Sequence, residues 1–173
     1  MMNCRVVISM VVLCISVFCP IVSASIVWNG HIYDVTPVGT WQECQDYAVA
    51  NGGNLVTIND AAENEFIVSA FLTISGSQED FWIGFYSTGD YADISTYEWI
   101  SGEDVTYMNW RAYQPDYGYG TDAYTVINYL KNGSGYWDNY PVSWTRRAIY
   151  EVVPEPATVL LLGLGGAMLR KRK

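Results

Sequence analysis

The stretch Gly52-Gly53-Asn54-Leu55-Val56-Thr57-Ile58 separates two helical patterns and gives the first indication of the fold. Gly52 and Gly53 follow the first pattern, and glycine tolerates the left-handed conformation in which helices end. The run from Asn54 to Ile58 is short and apolar, so it predicts a strand-like link. Working outward, we expect one helix before this stretch and one after it.

Both predicted helices begin with a capping signal. Thr40 followed by Glu43 forms a capping box, and Asp60 followed by Glu63 has the same spacing. The first helix repeats apolar residues at helical spacing at Trp41, Cys44, Tyr47 and Ala48, and the second at Phe66, Ile67, Ala70 and Phe71. We interpret these aromatic side chains as core and not as a cofactor site.

The second half of the chain is rich in Trp, Tyr, Gly, Asn and Asp, and its short apolar runs predict strands. These runs are Phe81–Phe85, Tyr97–Ile100, Tyr124–Leu130 and Arg147–Val152, with a turn at 132–135. The stretch from Asn109 to Asp122 has no periodicity and predicts a long loop. Long loops in compact domains usually carry function.

Short motifs follow one another in a specific order through these elements. They are Trp41-x-x-Cys44, 52–58, Glu65-Phe66, Trp82-Ile83-Gly84, Glu98-Trp99-Ile100-Ser101-Gly102, Tyr107-x-Asn109-Trp110, Gln114-Pro115-Asp116, Trp137-Asp138-Asn139 and Ala148-Ile149-Tyr150-Glu151. From Ile32 to Val152 this order resembles the C-type lectin-like domain. The resemblance implies an α+β fold with two helices, small antiparallel sheets and a long loop region that carries ligand sites.

The resemblance also implies a calcium site. Sugar-binding family members carry a Glu-Pro-Asn or Gln-Pro-Asp triplet whose proline is usually cis, and Gln114-Pro115-Asp116 is of the second kind. Asp122 stands where a further acidic ligand follows, with Thr121 as a competing alignment. The family's Trp-Asn-Asp becomes Trp137-Asp138-Asn139, so the two polar residues are exchanged.

These side chains have the donor types that Ca2+ prefers, since the ion takes about six to eight oxygens from carboxylates and carbonyls. The expected metal ligands are Gln114, Asp116, Asp122, Asp138 and Asn139. The same residues are expected to contact carbohydrate, and the triplet implies a galactose-type ligand. Tyr119, with Tyr117 and Tyr140 as further candidates, would stack on the sugar. A second calcium site in the acidic segment Ser87–Asp93 is left open.

The first residues of the chain predict export. Arg5 precedes an apolar run from Val6 to Cys19, and Val22-Ser23-Ala24 fits a cleavage site. We therefore expect a signal peptide at 1–24, with an uncleaved membrane anchor as the alternative.

The last residues carry a second targeting signal. Pro154-Glu155-Pro156, an apolar run to Leu169 and the basic end Arg170-Lys171-Arg172-Lys173 resemble the PEP-CTERM sorting signal. The resemblance implies processing by an exosortase-type transpeptidase and delivery to the cell surface or an extracellular matrix. An apolar helix of about 13 residues is ~20 Å long, short of the ~30 Å hydrocarbon core, so 154–173 predicts a transient membrane anchor. An ordinary weak membrane tail is the alternative.

Residues 25–153 remain as one expected domain, and they are strongly acidic. They hold four of the nine basic residues and seventeen of the eighteen acidic ones, a formal net charge near −13. Nothing here neutralises phosphates, so a nucleic-acid partner is excluded and a cation is favoured. Plain solubility of an exported protein explains the same charge.

Cysteine usage is unusual for an exported domain, because only Cys44 lies outside the predicted signal peptide. Members of the family usually have a disulfide from the first-helix cysteine to a cysteine in the last strand, but here Tyr150 stands at that place, so no internal disulfide is expected. We interpret Cys44 as a buried thiol.

Three functions compete. A calcium-dependent lectin acting on exopolysaccharide or cell-surface glycan is the main prediction. A structural or adhesive protein that contacts matrix proteins is the alternative. An enzyme is not expected, because the adjacent carboxylates Glu103 and Asp104 would point to opposite faces of a strand and no catalytic set is found.

Overall fold

The computed structural model describes residues 25–72, 79–118, 123–127 and 133–154. The predicted signal peptide and all of the predicted sorting segment after Pro154 lie outside these residues. Among the residues described, none of the helices has the length and apolar character needed to span a bilayer.

The described residues form two α-helices and two four-stranded antiparallel sheets. The helices are α1 (Trp41–Ala50) and α2 (Ala61–Ile67), and the strands are β1 (Ile26–Trp28), β2 (His31–Val35), β3 (Asn54–Leu55), β4 (Phe81–Ser87), β5 (Tyr97–Trp99), β6 (Tyr124–Ile127), β7 (Trp137–Tyr140) and β8 (Ile149–Val152). The sheet orders are β1-β2-β8-β3 and β5-β4-β6-β7. This architecture is the predicted α+β fold.

Helix α1 begins with the predicted capping box. The Thr40 hydroxyl accepts a hydrogen bond from the Glu43 amide at 3.3 Å, and the Glu43 carboxylate accepts one from the Thr40 amide at 2.8 Å. The predicted buried face is wrong at Tyr47, which is 39% exposed, whereas Gln45 is 6% exposed. The Gln45 side chain is buried because it joins α1 to β3. Its nitrogen donates to the Asn54 side-chain oxygen, and its oxygen accepts from the Leu55 backbone amide.

Helix α2 is capped by Asp60, whose carboxylate accepts from the Glu63 amide at 2.8 Å. It continues as a π-helical turn from Val68 to Leu72. Its buried face includes the polar residue Asn64, whose side-chain oxygen accepts a hydrogen bond from the Trp137 indole at 3.0 Å. This contact joins α2 to β7, the strand that carries the candidate site.

The hairpin β1–β2 was not predicted. It turns at Asn29 and Gly30, with φ values of 48° and 88°, and an Asn-Gly pair between short strands is a strong hairpin signal. β2 then pairs with β8, so that Ile32 lies opposite Val152. The strand β2 therefore lies between the first strand and the last strand of the described domain.

Aromatic side chains dominate the interior. Trp82, Trp99 and Trp137 are almost completely buried, and the rings of Trp99 and Trp137 meet edge to face at 5.6 Å. Cys44 is a free, buried thiol, as predicted, and burial raises its pKa. The packed core fixes β7 firmly beneath the long loop.

Candidate ligand-binding site

The predicted loop is attached to β7 by backbone hydrogen bonds. The Trp137 amide donates to the Asn109 carbonyl, and the Arg111 amide donates to the Trp137 carbonyl, both at 2.9 Å. The Asn109 side chain adds a bond to the Gly135 carbonyl at 2.8 Å. These contacts place the residues after Arg111 beside Asp138 and Asn139.

A tight turn then leads into the triplet. The Gln114 amide donates to the Arg111 carbonyl at 3.0 Å, and Tyr113 inside the turn has φ of 69°. The Gln114–Pro115 peptide is cis, as the family resemblance implies. Arg111, Gln114 and Asp116 all line the same small cavity.

The side chains of the triplet converge. The Gln114 amide nitrogen donates to Asp116 Oδ2 at 3.0 Å, and the Gly118 amide donates to Asp116 Oδ1 at 2.8 Å. Gln114 Oε1 is buried and has no hydrogen-bond partner among the described residues. Ca2+ takes its ligands from carboxylate and amide oxygens. The Asp116 carboxylate and Gln114 Oε1 therefore fit a calcium ion in donor type.

Asp138 is more deeply buried than Gln114 and Asp116, with only 4% of its surface exposed. A nitrogen of the Arg111 guanidinium lies 3.2 Å from its Oδ2. Burial raises the pKa of the Asp138 carboxyl to about 6, and the Arg111 charge acts against that rise. The carboxylate thus already has one positive partner.

Asn139 is turned toward the backbone of the triplet. Its Oδ1 accepts from the Asp116 amide at 3.1 Å, and its Nδ2 donates to the Asp116 carbonyl at 2.8 Å. Neighbouring residues on a strand point to opposite faces, so the exchanged order gives the two side chains different surroundings. Asn139 fixes the position of Asp116, and Asp138 contacts Arg111.

These residues surround a small cavity of about 220 Å³. Its lining is Arg111, Gln114, Asp116, Gly118, Asp138, Asn139 and Tyr140. The structure thus brings together all the predicted ligands except Asp122, which lies outside the described residues, as does Tyr119. Arg111 was not predicted as a site residue, although it is the one basic residue between 109 and 122.

Two other tyrosines were candidates for stacking on a sugar. Tyr140 is 5% exposed and packs edge to face on Trp144, so it does not offer a free ring face. Tyr117 is 60% exposed, and its hydroxyl donates to the Asp90 carboxylate. Tyr117 is therefore better placed than Tyr140 to stack on a sugar ring.

The acidic segment 87–93 uses its carboxylates locally. Asp90 accepts from the Tyr117 hydroxyl and from the Ala92 amide, and Asp93 accepts from the Ser95 amide and hydroxyl. These bonds give the segment a structural role beside the triplet.

Comparison with known families identifies two regions. A model of the lectin C-type domain matches residues 38–150, and a model of the PEP-CTERM protein-sorting motif matches residues 152–173. Snaclec bitiscetin subunit alpha from Bitis arietans is 31% identical over 100 residues, which are 57% of this chain and 74% of that protein. In two long receptors the chain matches only 5% and 6% of their length.

Solved structures show the same fold. The C-type lectin CEL-I from Cucumaria echinata has a TM-score of 0.66 at 21% identity, over 78% of this chain and 96% of that one. A calcium-independent type II antifreeze protein has a TM-score of 0.62 at 19% identity, over 77% of this chain and 92% of that one. The chain thus combines the lectin-type fold with the PEP-CTERM sorting motif.

Proposed function

Because the chain belongs to the C-type lectin domain family, we propose that it is an exported protein that binds carbohydrate through a calcium ion held by Gln114, Asp116 and Asp138. The observation that carries the proposal is the buried Gln114 Oε1, which has no hydrogen-bond partner among the described residues and belongs to a side chain that lines the cavity together with Asp116. Asp122 is a further proposed ligand. Asn139, also expected as a ligand, supports the site by holding the Asp116 backbone.

The chemistry supplied by bound Ca2+ is the coordination of two neighbouring sugar hydroxyls. Beside the ion, the Asp116 carboxylate would accept hydrogen bonds from these hydroxyls, and the Gln114 side-chain nitrogen would donate to one of them. Tyr117 offers an exposed ring to the apolar face of a sugar. A galactose-type glycan is the proposed ligand, because the Gln-Pro-Asp triplet accompanies such ligands in the family.

The sorting motif supports a location outside the cytoplasm. It begins at residue 152, the last residue of β8, so processing there would leave the sheet complete. We propose that an exosortase-type enzyme removes the C-terminal segment after transient contact with the membrane. The glycan would then be exopolysaccharide or a polymer on neighbouring cells.

A structural role in the matrix is the second candidate. It is favoured by the Arg111–Asp138 pair, which gives the buried carboxylate a positive partner without any metal ion. In that case the surface contacts other matrix proteins, and Asp116→Ala would leave partner binding unchanged.

Calorimetric titration of the purified chain with Ca2+ tests the proposal. We expect binding in the wild type, loss of binding in Asp116→Ala, and no change in Asp104→Ala, which removes an exposed acid away from the cavity. Equal binding by the wild type and Asp116→Ala would place any calcium elsewhere, and no binding at all would favour the structural role.

A further inference from the structure

We propose that Arg111 is an internal counter-ion of the site, which holds Asp138 in place without calcium and sets the calcium affinity. The inference rests on the proposed calcium site and concerns its regulation. It starts from the ion pair between the Arg111 guanidinium and Asp138 Oδ2, 3.2 Å apart.

Asp138 needs a positive partner in the folded protein. Its side chain is 5% exposed, and Asp116 adds a second negative charge to the same cavity. An unpaired buried carboxylate is costly, because the desolvation of its charge is not offset. Either a guanidinium or a metal ion at this position offsets part of that cost.

Arg111 can serve this role because the fold holds its backbone independently. Its amide donates to Trp137 and its carbonyl accepts from Gln114, so neither bond involves the guanidinium. The other arginines of the described domain pair elsewhere: Arg146 contacts Asp80, and Arg147 contacts Glu79. Replacing the Arg111 side chain therefore changes the cavity's charge while leaving its backbone bonds in place.

A cation on Asp138 and the guanidinium repel each other at such short range. Calcium binding must therefore displace the guanidinium or tolerate its charge, and part of the binding free energy is lost. The same contact stabilises the metal-free protein. Removing it should produce two opposite effects, namely tighter calcium binding and a less stable metal-free fold.

The test compares Arg111→Gln with Arg146→Gln in the purified chain. Arg146 is a matched control, because its pairing with Asp80 has similar burial but lies outside the cavity. We expect Arg111→Gln to bind Ca2+ roughly tenfold more tightly and to melt at a lower temperature in EDTA. Arg146→Gln should melt lower with unchanged affinity, and Arg111→Lys should keep the wild-type affinity within about threefold.

The outcomes separate this inference from the calcium site itself. If the wild type binds and Arg111→Gln binds no more tightly, the inference is overturned while the site stands. Binding by Arg111→Gln alone would support the inference and show that the native arginine blocks the ion. If neither protein binds, both the site and the role of Arg111 are rejected.

Discussion

Asp138 and Asn139 show how one exchange of neighbouring residues changes a site. The resemblance to the family implied that both side chains are calcium ligands. In the structure the Asn139 amide makes two hydrogen bonds to the Asp116 backbone, and Asp138 faces Arg111. The sequence revealed the exchange, but its consequence depends on which face of β7 each side chain takes.

The contribution of Asn139 can be measured. We expect Asn139→Ala to lower the free energy of unfolding by roughly 1–3 kcal/mol, because it leaves the half-buried backbone hydrogen-bonding groups of Asp116 without their partner. Urea unfolding measures this loss, with Gln42→Ala on the exposed face of α1 as the control. A change no larger than that of the control would show that the Asn139 contacts do not hold the triplet.

Arg111 illustrates what the sequence could not supply at this scale. The triplet and Trp137 were recognisable from local motifs, but the Arg111–Asp138 pair spans 27 positions. It depends on the backbone bridge between 109–111 and β7, which no local pattern encodes. A lone basic residue in an acidic loop was the available signal.

The elements were predictable where a local signal dictated them. The capping box of α1 and the glycine stop after it are local, and both are present in the structure. The buried polar residues were less predictable, because Gln45 and Asn64 are satisfied by partners on β3 and β7. Helical periodicity assigns such residues to the surface, since it considers only polarity.

A buried polar cluster joins β2, β8 and the start of α2. Glu151 is 4% exposed, accepts from the Thr57 amide at 2.7 Å and lies 3.0 Å from His31 Nδ1. Glu63 nearby accepts from the Tyr33 hydroxyl at 2.8 Å. Burial and the neighbouring Glu63 raise the pKa of Glu151 to about 7, although His31 and the Thr57 amide act in the opposite direction.

This shift predicts a pH-dependent stability. A carboxyl whose pKa is raised on folding contributes stability that is complete below its unfolded pKa of 4.5 and is lost as the pH rises through about 7. We expect the Glu151 contribution to fall by about 3 kcal/mol between pH 5 and pH 8. Glu151→Gln, which keeps the shape of the side chain, should lack this fall.

Urea unfolding of the wild type and Glu151→Gln at both pH values isolates the contribution of Glu151 from that of other buried carboxyls. Glu65→Gln, at an exposed position of α2, is the control. A stability difference between the wild type and Glu151→Gln that is independent of pH would contradict the assignment.

The whole molecule combines an acidic lectin-type domain with a C-terminal sorting motif, and a signal peptide is predicted at the other end. The pairing of β2 with β8 closes the domain, and the sorting motif follows immediately. The order of motifs was sufficient to predict the fold, because the family's order extends over most of the chain. The C-terminal segment was recognisable by its resemblance to a sorting signal, and the signal peptide at 1–24 stays a prediction.

Cys44 is a free thiol, because Tyr150 stands where members of the family usually have its disulfide partner. Tyr150 packs on Tyr47 with ring centroids 6.0 Å apart, so an aromatic contact occupies this region.

We expect the exported form to melt at the same temperature with and without dithiothreitol. A thiol reagent should leave the native protein unreacted and label one cysteine after unfolding, because Cys44 is buried. A lower melting temperature under reduction would reveal a disulfide and contradict this account.

The most direct test of the account is binding of the purified chain to a surface that carries galactose-type glycans, measured first in Ca2+ and then in EDTA. We predict binding in Ca2+ that EDTA abolishes, together with loss of binding in Gln114→Ala and unchanged binding in Asp104→Ala. Binding that persists in EDTA, or that is equal in Gln114→Ala, would contradict a calcium-dependent sugar site at the triplet.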